Sequence, residues 1–283
     1  MVQYGIKFMQ TIKNIGLIAL SLMGVCILGI TGWSLSQQPP KEVRTLENVL
    51  RRLSRGNNFG NQPITFMVAS GHYTANLALQ RGLCKPDKCD MFTQLNPYKR
   101  YNNGWDELIR QDYAVGDIAA WTASSGTIVI SRASFRAYGS QNDYLACTVA
   151  HELAHLKRNH IFKASYFTNH NLKGYSKEQK KLEEMKFSRK QELEADRDAA
   201  TMLTRSGYAG RVCQQELVFM YSSIGNGSIT EPESTHPGYE DRIKSIRNHY
   251  DALKKQPTKP QNDTRARYNY DNHDNLLTLT PLP

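Results

Sequence analysis

His151, Glu152 and His155 form an H-E-x-x-H arrangement within the stretch from Asp143 to Leu156. Residues four apart on an α-helix lie one above the other, so both histidines can turn an imidazole nitrogen towards a single metal ion. Glu152 lies one step round the helix. There it is badly placed to ligate beside them, but it can reach a metal-bound water and take its proton, the role of a general base. The other reading of the same residues is a chance pair of histidines on a helix surface. Leu145, Val149, Leu153 and Leu156 recur at helical spacing, and no Gly or Pro falls between Asp143 and His170, which predicts a helix beneath the motif.

A catalytic zinc takes three protein ligands and keeps a fourth position open. Two histidines therefore need a third donor from another element. The stretch from Gln191 to Ala200 offers Glu192 and Asp196, again four apart. Glu192 is the candidate ligand because it shares the strip Glu192, Ala195, Ala199, Met202, which has the spacing of a packed helix face. Asp196, one turn on, can accept the free N–H of a ligating histidine and so fix its tautomer. Glu194 and Asp198 read as a solvated acidic face.

A third segment runs from Ser234 to Ile243 and contains Thr235-His236-Pro237 followed by Arg242-Ile243. H-E-x-x-H, then E-x-x-x-D, then T-H-P-x-x-x-x-R-I resemble the zinc peptidase family that holds HtpX, the BepA and LoiP envelope proteases, the mitochondrial Oma protease and the CAAX prenyl proteases. The resemblance covers about Ala119 to Arg247. It implies that His151, His155 and Glu192 hold zinc, Glu152 is the catalytic base, Asp196 orients a ligand and His236 stands near the metal. Members commonly carry an Asn shortly before the glycine of a strand segment, whereas Ala119 to Gly126 contains none.

His236 falls between a glycine-containing connector, Gly225 to Glu233, and a helix begun by Pro237, a residue suited to a first helical turn. Three roles are open to it: donor to an oxyanion, displaceable plug of the open metal position, or simple helix cap. Tyr239 is a further oxyanion candidate.

The positioning elements follow from periodicity. The segments Ala114 to Thr122 and Gly126 to Ser131 read as two strands joined by a small-residue turn. Thr127, Ile128, Val129 and Ile130 are the most β-prone run, either an edge strand along which an extended substrate pairs or a plain core strand. Ile64 to Ser70 is a third strand, and Glu42 to Arg55 an amphipathic helix with Val43, Leu46, Val49, Leu50 and Leu53 on one face. The expected fold class is α+β, a mostly helical zincin-like metallopeptidase domain with a small β-sheet beside the active-site helix. Residues 1–35 are expected to be a signal peptide or single transmembrane anchor, 36–255 the peptidase domain, and 256–283 a disordered tail, because Pro, Asn, Asp and Lys dominate it.

The chain has 283 residues, 40% hydrophobic and 22% charged, room for one sizeable domain with extensions. Its net charge of +10 comes without a nucleic-acid-binding motif, which argues against nucleic acid and points to an anionic membrane nearby. The run from Ile15 to Trp33 is uncharged, with Lys7 and Lys13 ahead of it. It is either a signal-peptide core or a spanning helix, with the rest of the chain exported. The location is then the periplasmic side of the inner membrane if the run is kept, or the periplasm or exterior if it is cleaved. Cys84 and Cys89 flank a Pro-Asp turn and suggest a local disulfide, the rival metal clip lacking two further soft ligands. Cys147 and Cys213 read as small buried residues.

These observations lead to a zinc endopeptidase with one Zn²⁺ per chain, binding polypeptides in extended form. The resemblance adds protein quality control in a bacterial-type envelope. A non-peptidase zinc hydrolase and an inert or self-inhibited chaperone-like protein are the alternatives.

Overall fold

The computed structural model describes residues 38–89, 95–101, 104–224 and 227–283. The apolar run 15–33 lies outside them. Among the described residues no helix is long and apolar enough to cross a membrane.

Helix α1, Lys41–Leu53, buries Val43, Leu46, Val49, Leu50 and Leu53, the stripe its periodicity requires. Strand β1, Ile64–Ala69, follows, then α2, His72–Gln80, and α3, Trp105–Val115. The strand expected from Ala114 begins only at Ala120, because the first residues of that window finish α3. Strands β2, Ala120–Thr122, and β3, Thr127–Ser131, lead into α4, Arg132–Tyr138, and the motif helix α5, Asn142–Lys157. This helix stops before Asn159, which adopts the left-handed conformation at φ 54°, a state asparagine reaches more readily than most residues. Helix α6, His160–Tyr166, and a π-helical turn, Phe167–Asn171, continue the chain to α7, Lys177–Arg205. Helices α8, Val212–Ile224, and α9, Tyr239–Lys255, precede strands β4, Ala266–Asp271, and β5, Leu276–Pro281.

The five strands form one mixed sheet in the order β2-β3-β1-β5-β4. Two expectations change here. Thr127–Ile130 is an interior strand, parallel to β1 and antiparallel to β2. Its run of buried Ile128, Val129 and Ile130 suits a strand covered on both faces. The edge on this side is β2.

The second correction concerns the tail, which is folded from Ala266 to Pro281. Strands β4 and β5 pair as a hairpin and add to β1 through Ile64↔Leu279 and Phe66↔Leu277. Overall polarity hid a period of two: along β5, Leu277 and Leu279 are 1% and 0% exposed, between more exposed residues. Alternation of this kind supports a half-buried strand whatever the composition. At the turn Asn275 takes φ 56° and its side-chain amide donates to Val68 O at 2.9 Å. Residues 41–283 thus make one compact unit that includes the tail.

Helix α5 lies at the centre of its core. Leu145, Val149 and Leu153 join Phe66, Ile128 and Ile130 of the sheet with Ala199 and Leu203 of α7. Each such leucine or isoleucine contributes about 1.5–3 kcal/mol by burial. Cys84 and Cys89 form the expected local disulfide. Cys147 and Cys213, which the sequence left as plain buried residues, form a second one that ties α5 to α8.

Candidate metal centre and active site

The buried leucines on one side of α5 leave His151 and His155 facing α7. Opposite them α7 presents Ala195 and Ala199, both almost wholly buried. Small residues allow the two helices to approach closely, which brings Glu192 and Asp196 against the imidazoles. His151 Nε2 and His155 Nε2 are 3.0 Å apart. Glu192 Oε2 lies 3.2 Å from the first and its Oε1 lies 3.3 Å from the second. Ligand atoms of His151, His155 and Glu192 all fall within 4.8 Å of one another.

The Nδ1 atoms point outward to supporting groups. His151 Nδ1 meets Asp196 Oδ1 at 2.9 Å. Asp196 in turn accepts two hydrogen bonds from Arg242 of α9, at 2.7 and 2.9 Å. His155 Nδ1 meets Nδ1 of His160 at 2.9 Å, and His160 is only 2% exposed. Gln191 donates to His160 O at 2.9 Å, holding the start of α6 against α7. Glu194 and Asp198 are not merely solvated: both face Arg158, and Asp198 takes two hydrogen bonds from it.

The charges in this cluster are strongly coupled. Burial works against a proton on His151, but the hydrogen bonds to Asp196 and Glu192 outweigh it and raise its pKa from 6.5 to about 10. Burial and the neighbouring His151 charge depress His155 to about 3. Burial also opposes ionisation of Glu192, yet the bond to His151 pulls its pKa down to about 2. Asp196 is held below the ordinary carboxylate range by Arg242 and His151 despite its burial. Two imidazole nitrogens and a carboxylate are a fitting donor set for zinc.

Glu152 stands beside the donors. Its Oε2 accepts from Thr122 Oγ1 at 2.8 Å, which links the carboxyl to the edge strand β2. Burial raises its pKa, with His151 and the Thr122 hydrogen bond acting in the opposite sense. A carboxyl shifted upward in this way takes a proton more readily than an exposed one, as a general base must. A cavity of about 480 Å³ opens in front of these groups, lined on one side by Ala120 and on others by Glu216, Met220 and Tyr239. Glu216 is buried and accepts from Tyr138 Oη at 2.6 Å.

His236 sits at the mouth of the cavity, exposed, with Nε2 3.7 Å from Glu192 Oε2. Pro237 precedes α9 rather than starting it, and Gly238 is the capping residue. A Cβ on Gly238 would fall 2.4 Å from the carbonyl carbon of Ile229, so only glycine lets the connector cross here. The described part of that connector is well tethered. Arg189 donates to the carbonyls of Pro232 and Ser234 at 2.7 and 2.8 Å, and Lys181 pairs with Glu233 at 2.6 Å.

The structure thus brings His151, Glu152, Glu192, Asp196, His236 and Tyr239 to one cavity, with His155 beside His151 and Glu192, while Thr127–Ile130 lies one strand removed from its edge. Four contributors had no role in the sequence reading. Arg242 was visible as the arginine closing the T-H-P motif, and His160 as a histidine five residues after His155. Thr122 and Glu216 carried no comparable signal.

Residues 111–250 match the family model for Peptidase family M48. Comparison with curated proteins and with solved structures gave no match.

Proposed function

With residues 111–250 forming an M48 peptidase region, we propose that the chain is a zinc-dependent endopeptidase that cuts unfolded or damaged polypeptides in the cell envelope. The observation that carries this is the meeting of three metal donors, a buried carboxyl and a sheet edge at one cavity. His151, His155 and Glu192 would hold zinc, which when bound would supply Lewis acidity and a water more easily deprotonated near pH 7. Glu152 takes the proton of the attacking water on a carboxylate oxygen and returns it to the leaving amine nitrogen. Thr122 aims that carboxylate, and Asp196, itself fixed by Arg242, keeps the His151 ring in place. Strand β2 pairs with the substrate main chain, a mode that makes few demands on side-chain identity. Tyr239 faces the same cavity and is the candidate donor to the oxyanion.

Export is supported by the two disulfides, which persist in oxidising compartments, and by the uncharged run 15–33 behind Lys7 and Lys13. The deciding experiment compares Glu152→Gln with His155→Ala. The first is expected to retain about one zinc per chain yet lose hydrolysis of unfolded casein, and the second to lose the metal. Equal zinc loss in both would overturn the assigned roles.

A self-inhibited resting state is favoured by the placement of His236 beside Glu192 on a tethered connector. There His236 would shield Glu192 and the histidines beside it until substrate displaces it. His236→Phe is then expected to raise peptidase activity with zinc retained. A fall of about 10²–10³ in kcat would make it an oxyanion donor instead.

A further inference from the structure

We propose that α6, the π-helical turn and the first half of α7 form a face that docks on an anionic lipid bilayer, separately from the N-terminal apolar run. Of the eleven large hydrophobic side chains exposed among the described residues, five fall between Ile161 and Leu182. Phe162 is the second most exposed of them, at 69%. They are ordered rather than scattered. Phe162 and Tyr166 rings are 6.2 Å apart, and Tyr166 stacks on His170 at 4.3 Å, so residues at i, i+4 and i+8 make one outward ridge.

Phe167 stacks on Phe187 at 4.3 Å and fastens the ridge to α7. Leu172, buried, pins the turn beyond it. Between ridge and α7 runs an apolar groove of about 360 Å³, with Lys163 at its side.

Charge decides the occupant. Residues 160–190 hold eight lysines and arginines against three glutamates, half of the whole chain's net charge of +10. Lys163, Lys173 and Lys177 are exposed around the aromatic ridge. A second copy of this chain would bring an equally cationic face against it. A bilayer bearing anionic headgroups meets both features, taking aromatic rings at the interface and lysines among the phosphates. Long lysine stems let the charge stay at headgroup level while the rings go deeper.

The test uses the full chain with Cys26→Ser, which leaves only the disulfide-bonded cysteines, and an environment-sensitive dye on Ser165→Cys, an exposed position within α6. It is reconstituted in phosphatidylcholine vesicles with or without phosphatidylglycerol. The expected result is a blue shift of the dye and quenching by brominated acyl chains in the anionic vesicles. Both should be lost when Phe162→Ser and Tyr166→Ser are combined, and weakened when Lys163→Glu and Lys177→Glu are combined, with circular dichroism unchanged. Emission that is the same with and without phosphatidylglycerol would overturn the proposal. So would a shift that grows with protein concentration in the absence of vesicles, which would identify a second copy as the occupant.

Discussion

His160 stands with its Nδ1 2.9 Å from Nδ1 of His155, so one imidazole of the motif is oriented by a third histidine, while the other is oriented by the carboxylate of Asp196 at the same distance. With Nε2 of His155 directed at the metal position, its Nδ1 carries the proton and His160 Nδ1 accepts it. The Nε2 proton of His160 then lies towards Glu194, 3.5 Å away. Both histidines of the motif thus have the outer support that metal sites use to fix ring and tautomer.

His160→Ala is accordingly expected to weaken zinc affinity about 10–100-fold. Chelator competition measures this directly and does not depend on peptidase activity. Unchanged affinity would reduce His160 to a packing role.

Thr122 donates to Glu152 and holds its pKa down against the burial that raises it. In Thr122→Val that restraint is gone, and the Glu152 pKa rises further. A base works only when deprotonated, so the acid limb of the kcat/KM profile should move to higher pH. The alkaline limb should stay where it is. A profile superimposable on the wild type would show that Thr122 does not set the base.

Arg242 and Asp196 form a buried pair, with side chains 12% and 4% exposed. Arg242→Met leaves buried Asp196 with His151 alone to offset its charge and should cost about 3–5 kcal/mol in urea unfolding of the metal-free protein. The pH dependence has a definite sign. Asp196 has a depressed carboxylate pKa in the folded state, so its contribution is complete above the ordinary aspartate value of 3.8 and is lost as pH falls through the lower folded pKa. The gap between wild type and Arg242→Met should therefore narrow on acidification below about pH 4. A gap that widens there would contradict the assignment.

The bridge between Cys147 and Cys213 spans 66 residues of chain, whereas that between Cys84 and Cys89 spans five. A longer closed loop restrains the unfolded chain more. Replacing Cys147 and Cys213 by serine should cost about 2–4 kcal/mol, and the same change at Cys84 and Cys89 distinctly less. Denaturant midpoints of the two double variants decide it, equal losses contradicting the loop-length argument.

What the sequence determined by itself was local and periodic. The four-residue spacings of His151 with His155 and of Glu192 with Asp196 set which side chains share a helix face, because the helical repeat permits nothing else. The buried stripe of α1 and the strand Ile64–Ala69 were legible for the same reason. Strand order, the partners of the ligands and the second disulfide were decided only by tertiary packing. Thr127–Ile130 has the same residues whether it lies at an edge or inside, and its place depended on β2 and β1 arriving on either side. The tail became strand because Leu277 and Leu279 found Phe66 and Ile64 across the sheet. Arg242 meets Asp196, and Cys213 meets Cys147, across separations of 46 and 66 residues. Contacts between residues so far apart depend on how whole helices pack, and no local repeat in the chain encodes that.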